Sequence, residues 1–165
     1  MSSKNIDQCI PWLRAKYELL ALISFNNNIK MALTCTSRIY LEQYALYLQG
    51  RESLDKVNHA RENASLYKIT EEQNKKVTWT LDSKHIINDK RKLSEAFDIV
   101  IVKDEKLTWD LKVDINNNDI PDYIDLAIIG NKIGLICGAY FKDKEGKPKP
   151  DYCHFESPEN YESIS

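Results

Sequence analysis

The sequence predicts a small α+β fold in a single domain. Three segments repeat apolar residues at helical spacing, and several shorter segments alternate apolar and polar residues as strands do. A chain of 165 residues suits one domain with one core, and 42% hydrophobic with 29% charged residues is typical of globular proteins. We therefore expect residues 1–156 to form the domain and 157–165 to be a flexible tail.

The first two elements are predicted from spacing alone. A helix is expected from Ile10 to Phe25, with Pro11 in its first turn. Apolar residues surround the second half of this helix, so we expect that half to be buried on most sides. A strand follows over Ile29–Thr36. Its alternation puts four residues on one face, namely Ile29, Met31, Leu33 and Cys35.

A second helix is predicted over Tyr40–Gln49, and Gly50 ends it. The polar segment 51–76 has no clear period and is interpreted as a long loop, and a short helical piece within it stays open. The remaining predicted elements are a β-like segment at 77–80, a buried strand at 96–103, a helix at 122–131, a strand at 133–141 and a short strand at 152–155.

Charge and hydropathy exclude two classes of partner. A formal net charge of −2 gives no general attraction to nucleic acid or anionic lipid. No apolar run reaches the ~20 residues that a membrane-spanning helix needs. We expect a monomer with no nucleic-acid partner and no membrane insertion. The polar N-terminus is unlike a signal peptide, so we expect synthesis in the cytoplasm.

The four cysteines at positions 9, 35, 137 and 153 form no CxxC pair, so a thiolate zinc knuckle is not expected. Without a signal peptide, we expect reduced thiols. Cys35 and Cys137 lie in apolar segments and are interpreted as buried free thiols.

Two of the three histidines lie in motifs that also carry aspartates. His85 follows Ser83-Lys84, Asp98 lies in a predicted strand, and Asp151 precedes His154 by three positions. Catalytic zinc takes three such ligands and leaves one position for water, so these motifs indicate a mononuclear zinc hydrolase. A loop histidine and an edge-strand aspartate are the alternative. The apolar neighbours of Asp98 favour the metal, because a buried carboxylate needs a partner.

The order SxH, AxD and DxxHFE resembles the zinc peptidases that cleave peptidoglycan peptides. This group includes D-alanyl-D-alanine carboxypeptidases and dipeptidases and the L-alanyl-D-glutamate endopeptidases of phage lysins. The block 34–51 is similar to the group's TSxxRTxxEQxxLYxxGR segment, with Cys35 and Ile39 in place of the usual Ser and Thr. The matched blocks run from Thr34 to Glu156, and the HFE ending favours the endopeptidase branch.

The resemblance implies a zinc ion bound by His85, Asp98 and His154, with Asp151 as the catalytic base. Arg38 would bind the oxyanion of the tetrahedral intermediate or a substrate carboxylate, for which a planar cationic fork is suited. The implied fold is an α+β unit in which an antiparallel sheet lines the zinc cleft, flanked by helices.

Three further residues are implied to support this site. Ser83 would hydrogen-bond near the metal ligands, and Glu42 with Gln43 would brace Arg38 from its helix. The sequence departs from the family pattern at two points near these residues. The interval from His85 to Asp98 is longer, with the additional residues at 86–92, and Ser94 replaces the usual glycine.

A further segment has oxygen side chains in the register of a calcium loop. These residues are Asp114, Asn116, Asn118, Asp122 and Asp125. The usual glycine at the sixth position is Asp119, and the last ligand is an aspartate instead of a glutamate. Asn, Asp and Pro are also the residues of ordinary turns, so a calcium site and a solvated turn both stay open.

We therefore expect a zinc metallopeptidase that hydrolyses peptidoglycan stem peptides, most specifically the L-alanyl-D-glutamate bond. It would act as a phage-type lysin on the cell wall after release from the cytoplasm. A D-alanyl-D-alanine carboxypeptidase or dipeptidase is the alternative within this class. A non-catalytic metal protein that binds wall fragments is the alternative from another class. Asp151 and Arg38 speak against it, because a pure binder needs neither.

Overall fold

The computed structural model describes residues 2–161 and has the predicted α+β fold. Its elements in chain order are α1 (Pro11–Asn26), β1 (Met31–Cys35), α2 (Tyr40–Leu48), α3 (Leu54–Asn63), β2 (Ala96–Lys103), β3 (Lys106–Thr108), α4 (Asp122–Lys132), β4 (Ile136–Cys137) and β5 (His154–Glu156).

The strands form one open antiparallel sheet with β2 at its centre. β1 pairs along β2. β5 pairs with the first three residues of β2, and β3 pairs with the last three. β4 pairs with the other edge of β5. β2 is the strand that sequence patterning identified most clearly, and its bounds are those predicted. Every strand that carries a candidate site residue is therefore adjacent to β2.

One face of β2 builds the main core. Phe97, Ile99 and Ile101 are fully buried and pack in one cluster with side chains of α1 and α4, among them Leu13 and Leu126. Burial of each such side chain contributes roughly 1.5–3 kcal/mol to folding. Because side chains alternate along a strand, Asp98 projects from the opposite face of β2, away from this core.

A β-bulge in β1 corrects one prediction. Leu33 pairs with Ile99 and Cys35 pairs with Asp98, so two steps along β1 match one step along β2. The extra residue, Thr34, breaks the alternation. As a result Leu33 stays with the core cluster, while Cys35 shares the opposite face with Asp98 instead of the predicted face of Leu33.

Two predicted β segments are shorter or absent. The strand predicted at 133–141 is limited to β4, because its partner β5 has only three residues, and a 3₁₀ helix over Gly138–Tyr140 follows. The segment 77–80 forms no strand.

The loop predicted over 51–76 contains α3, which packs on α2 through Ala45, Ala60 and Ala64. The sequence of α3 shows no clear helical period of apolar residues, because only Val57 and Ala60 of its ten residues are buried. The short strand β3 was also not predicted; three residues with one partner strand leave too little pattern to recognise.

The second half of α1 is not buried on most sides. Leu20 and Ser24 face the core, but Leu22 and Phe25 on other sides of the helix are 59% and 65% exposed. The prediction failed because α1 contacts its neighbours along one stripe only. Within residues 2–161, no helix is both long and apolar enough to cross a bilayer.

The described part of the predicted tail is packed. Ser157 is buried, its N–H donates to Glu95 O at 2.9 Å, and the ring of Tyr161 lies 6.0 Å from that of Trp12. These contacts join residues 157–161 to the domain after β5, and the flexibility of the tail stays a prediction. Residues 162–165 lie outside the described residues.

Candidate metal centre and cleft

The register of the sheet gathers three donor side chains at one level. Asp98 of β2 pairs with Cys35 of β1 on one side and with His154 of β5 on the other. Directly paired residues of antiparallel strands present their side chains on the same face, a few ångströms apart. The predicted ligands Asp98 and His154 are thus neighbours because of strand pairing, although they are far apart in sequence.

His85 joins this group from a loop that is bonded to the end of β1. Arg38 N donates to His85 O at 2.9 Å, and Ile87 N donates to Arg38 O at 3.1 Å. Glu95 N donates to Lys84 O at 3.0 Å, which closes the base of the additional segment. The longer interval between His85 and Asp98 therefore forms an excursion that leaves the two side chains in contact.

Three donor atoms form a small triangle. His85 Nε2 lies 3.1 Å from Asp98 Oδ1, His154 Nδ1 lies 3.0 Å from the same oxygen, and the two nitrogens are 3.3 Å apart. Ligand atoms of a tetrahedral zinc ion, bonded at about 2.0–2.1 Å, lie about 3.3 Å from one another. The triangle thus has the dimensions of one face of a zinc coordination shell.

The opposite nitrogen of each imidazole is already bonded to an oxygen. His85 Nδ1 donates to Thr36 O at 2.9 Å, and His154 Nε2 donates to Glu156 Oε2 at 3.0 Å. A histidine that ligates a metal usually donates its other N–H to a carbonyl or carboxylate in this way. These bonds orient His85 Nε2 and His154 Nδ1 toward the same point.

Cys35 offers a second set of donors. With His85 and Asp98 it forms a group whose ligand atoms lie within 4.8 Å of one another, and this group could hold a metal ion. Its Sγ atom, however, lies 3.6 Å from His85 Nδ1, the nitrogen that faces Thr36 O, and 3.2 Å from Arg38 Nη2. We favour the set with His154, because all three of its donor atoms face one another.

The Asp98 carboxylate and the two imidazoles attract one another electrostatically. Burial opposes charge on every member. Nevertheless the Asp98 carboxylate raises the pKa of His85 to about 10 and also raises the pKa of His154. In turn, the two imidazoles hold the pKa of Asp98 well below its usual range, although burial alone would raise it. The Asp98 carboxylate, which raises the pKa of both imidazoles, would also attract a metal cation.

Arg38 lies beside the cluster and is held by several partners. Its Nη2 contacts Asp98 Oδ2 at 3.4 Å, and its Nη1 donates to Gln43 Oε1 at 3.2 Å. Gln43 is fully buried and donates in turn to Thr80 O at 2.6 Å. Gln43 thus contacts Arg38 as the family resemblance implied. Glu42 instead accepts from Ser2 N and Oγ.

Ser83 and Asp151 complete the predicted site residues. Ser83 Oγ accepts from His85 N at 3.3 Å and so caps the loop before the ligand. Asp151 O accepts from His154 N at 3.2 Å, so the backbone bends between these two residues. The Asp151 side chain accepts from Cys153 Sγ at 3.1 Å.

Gly138 supports this bend. A Cβ atom at position 138 would overlap Asp151 O and lie 3.0 Å from the Cβ atom of His154. Asp151 N also donates to Gly138 O at 2.8 Å. The turn that carries Asp151 can approach the 3₁₀ helix this closely only because residue 138 lacks a side chain.

The cluster lies at an open cleft of about 380 Å³. His85, Asp98 and His154 line it together with Arg38 and Asp151, so the structure brings the predicted catalytic and ligand residues to one cavity. The segment 77–80 and the turn around 141–151 also contribute residues to its lining.

The predicted calcium loop is bonded mainly to itself. Asp114 accepts from the backbone N–H groups of Asn118 and Asp119, and the buried Asp122 accepts from Ile115 N. The amide nitrogens of Asn116 and Asn118 both donate to Asp125 Oδ2. All five predicted residues thus come together in one loop, whose affinity for calcium stays a prediction.

Sequence reasoning missed two residues of the site. Glu156 is not among the predicted site residues, yet it accepts a hydrogen bond from His154 Nε2 and also lies 3.2 Å from Lys84 Nζ. The signal for it was present, because positions 154 and 156 lie on the same face of a strand. Cys153 is also not among the predicted site residues, and its Sγ atom donates to Asp151 Oδ1.

Comparison with known proteins supports the fold. No protein-family model and no curated protein matches this chain. Among solved structures, the chain is similar to the L-Ala D-Glu endopeptidase ChiX of Serratia marcescens, with a TM-score of 0.50. The two chains are 14% identical, and the match covers 96% of this chain and 89% of that chain. This chain therefore shares the fold of a known peptidase.

Proposed function

We propose that this protein is a zinc-dependent peptidase that hydrolyses the L-alanyl-D-glutamate bond of peptidoglycan stem peptides. The observation that carries the proposal is the triangle of His85 Nε2, Asp98 Oδ1 and His154 Nδ1, with sides of 3.0–3.3 Å, at the base of an open cleft. The choice of bond is supported by the fold shared with an L-Ala D-Glu endopeptidase and by the HFE motif.

The donor set fits zinc. Two imidazole nitrogens and one carboxylate oxygen are common ligands of catalytic zinc, which keeps a fourth position open. The open cleft beside the triangle would give substrate access to that position. Zinc bound there would supply a Lewis acid that polarises a peptide carbonyl and lowers the pKa of water.

The remaining chemistry falls to side chains of this chain. Asp151 lines the cleft and accepts from Cys153 at its Oδ1 atom, and we assign to it the removal of a proton from the attacking water. It would then return that proton to the leaving amine. Burial raises the pKa of the Cys153 thiol, which therefore keeps its proton and donates it in this hydrogen bond.

Arg38 would stabilise negative charge as it develops on the carbonyl oxygen. Its guanidinium lines the cleft and is fixed by Asp98 and Gln43, so little reorganisation is needed during the reaction. Ser83 and Gln43 act through their neighbours: Ser83 caps the His85 loop, and Gln43 orients Arg38.

The test is digestion of purified peptidoglycan by zinc-loaded protein, with products identified by mass spectrometry. New N-terminal D-glutamate that disappears with chelator and returns with zinc is the expected result. Release of terminal D-alanine would instead assign a carboxypeptidase or dipeptidase. No product from several wall types, with zinc bound, would overturn the proposed activity and favour a wall-binding protein.

A wall substrate also implies a site of action beyond the cytoplasm, as in a phage-type lysin. This biological role is supported only by the resemblance of the motifs. Addition of the protein to intact cells and to cells with permeabilised membranes tests it. Lysis of the permeabilised cells from inside is the expected result, whereas an intact wall in both cases would contradict a lytic role.

A further inference from the structure

The cleft contains a cation whose position is fixed by an aromatic ring. Lys149 Nζ lies 3.9 Å from the centroid of the Trp79 ring, and both residues line the cleft. Trp79 is 53% exposed, so the ring is presented to the cleft and not buried in a core. Attraction between an ammonium group and a ring face holds the lysine in place and leaves N–H donors for another partner.

Lys149 differs from Arg38 and Lys84, two other cations of the cleft, in its partners. Lys142 also lines the cleft, but within the described part of the chain it has no aromatic ring contact that orients it. Arg38 contacts Asp98, and Lys84 contacts Glu156. Among residues 2–161, no carboxylate forms an ion pair with Lys149. An oriented ammonium without a counter-ion, at the wall of a substrate cleft, is suited to bind a carboxylate of the substrate.

Lys149 is also close to the candidate metal centre. Its backbone N–H donates to Phe141 O at 2.8 Å, and the Phe141 ring lies 5.6 Å from the ring of His154. Asp151, the proposed base, follows two residues later. A substrate group bound by Lys149 would therefore lie in the same cleft as the bond that is cleaved.

We propose that Lys149, oriented by Trp79, is a specificity residue that binds the free carboxylate of the glutamyl residue directly after the scissile bond. This inference rests on the proposed function. A glutamyl residue has two carboxyl groups, and only one of them continues the peptide chain. The other is a carboxylate in acidic stem peptides and a carboxamide in amidated ones. Lys149 thus selects the acidic, non-amidated substrates.

The experiment compares synthetic stem peptides that differ only in this group, carboxylate or carboxamide. The wild type is expected to prefer the carboxylate about tenfold in kcat/KM, as a charge-assisted hydrogen bond provides. Lys149→Met removes the preference by slowing the carboxylate peptide alone, and Lys149→Arg retains it. Lys147→Met is the matched control, because Lys147 lies in the same turn but pairs with Glu145.

A third peptide, amidated only at its C-terminus, separates the carboxylate beside the scissile bond from the terminal one. If amidation of the C-terminus slows cleavage but amidation beside the scissile bond does not, the assignment of Lys149 is overturned. Equal rates of the wild type on the first two peptides, or an undiminished preference in Lys149→Met, would also overturn it. Circular dichroism checks that each variant is folded.

Failure of the proposed function gives a different result. If the wild type cleaves none of the peptides, the proposed peptidase activity is wrong. Calorimetric binding of the same peptides to the zinc-loaded wild type then tests Lys149 separately. Tighter binding of the carboxylate peptide, lost in Lys149→Met, supports the site, and equal affinities overturn it.

Discussion

Replacing Glu156 with glutamine tests how strongly the outer partner of His154 contributes to zinc binding. Glu156 Oε2 accepts from His154 Nε2 at 3.0 Å, while Oε1 lies 3.2 Å from Lys84 Nζ. The side chain is only 17% exposed, so solvent weakens these contacts little. Glu156→Gln keeps the shape but removes the charge that balances His154 and Lys84.

The expected magnitude follows from this geometry. A hydrogen bond to a charged group contributes roughly 1.5–3 kcal/mol. If that stabilisation is lost from the zinc-loaded state, the zinc dissociation constant rises about 10- to 100-fold, the range seen when outer partners of metal ligands are removed. The change is expected in zinc affinity first, and in activity only at limiting zinc.

Competition with a chromogenic chelator measures this change directly. Glu145→Gln is the matched control, because Glu145 also pairs with a lysine, at 2.7 Å, but is exposed and is not one of the residues that line the cleft. Zinc affinity of Glu156→Gln within twofold of wild type, in a variant that is folded by circular dichroism, would refute the role given to Glu156 and to the orientation of His154.

Three further predictions concern the base, the protons and the turn. Asp151→Asn should lower kcat about 10²- to 10⁴-fold with one zinc still bound; metal analysis that shows zinc lost would mean that Asp151 is a ligand. Because the pKa of His85 is raised to about 10 and that of His154 is also raised, the metal-free protein holds at least one extra proton at pH 7. Zinc requires neutral imidazoles, so its binding should release that proton and tighten as pH rises; calorimetry in buffers of different ionisation enthalpy that finds no release would contradict this. Gly138→Ala should cost about 1–3 kcal/mol of stability by overpacking and reduce activity through displacement of Asp151; an unchanged melting temperature and unchanged kcat would show that the turn adapts.

The sequence predicted the helices and strands whose regularly spaced apolar residues face the core. α4 and β2 were recovered nearly to the residue, because their apolar residues face one cluster at a regular spacing. α3 was not, since most of its side chains face solvent and leave no period to detect. The bulge at Thr34 could not be predicted either, because it depends on how β1 pairs with a strand more than 60 positions away.

The candidate site likewise contains residues that the sequence predicted and partners that it did not. His85, Asp98 and His154 were selected by motif, and the structure brings them together through strand pairing and one bonded loop. Their partners were harder to foresee, because Thr36 contributes only a backbone carbonyl and Lys84 reaches Glu156 across the sheet edge. Such contacts depend on three-dimensional placement that side-chain identity does not specify.

X-ray absorption at the zinc edge, on protein loaded with one equivalent of zinc, tests directly whether His85, Asp98 and His154 bind the metal. We expect nitrogen and oxygen ligands at about 2.0–2.1 Å, with the imidazole signature of two histidines and no sulfur. A ligand at about 2.3 Å would identify the Cys35 thiolate and move the metal to the other donor set. Zinc that does not bind, or that binds without histidine, would contradict the proposed centre.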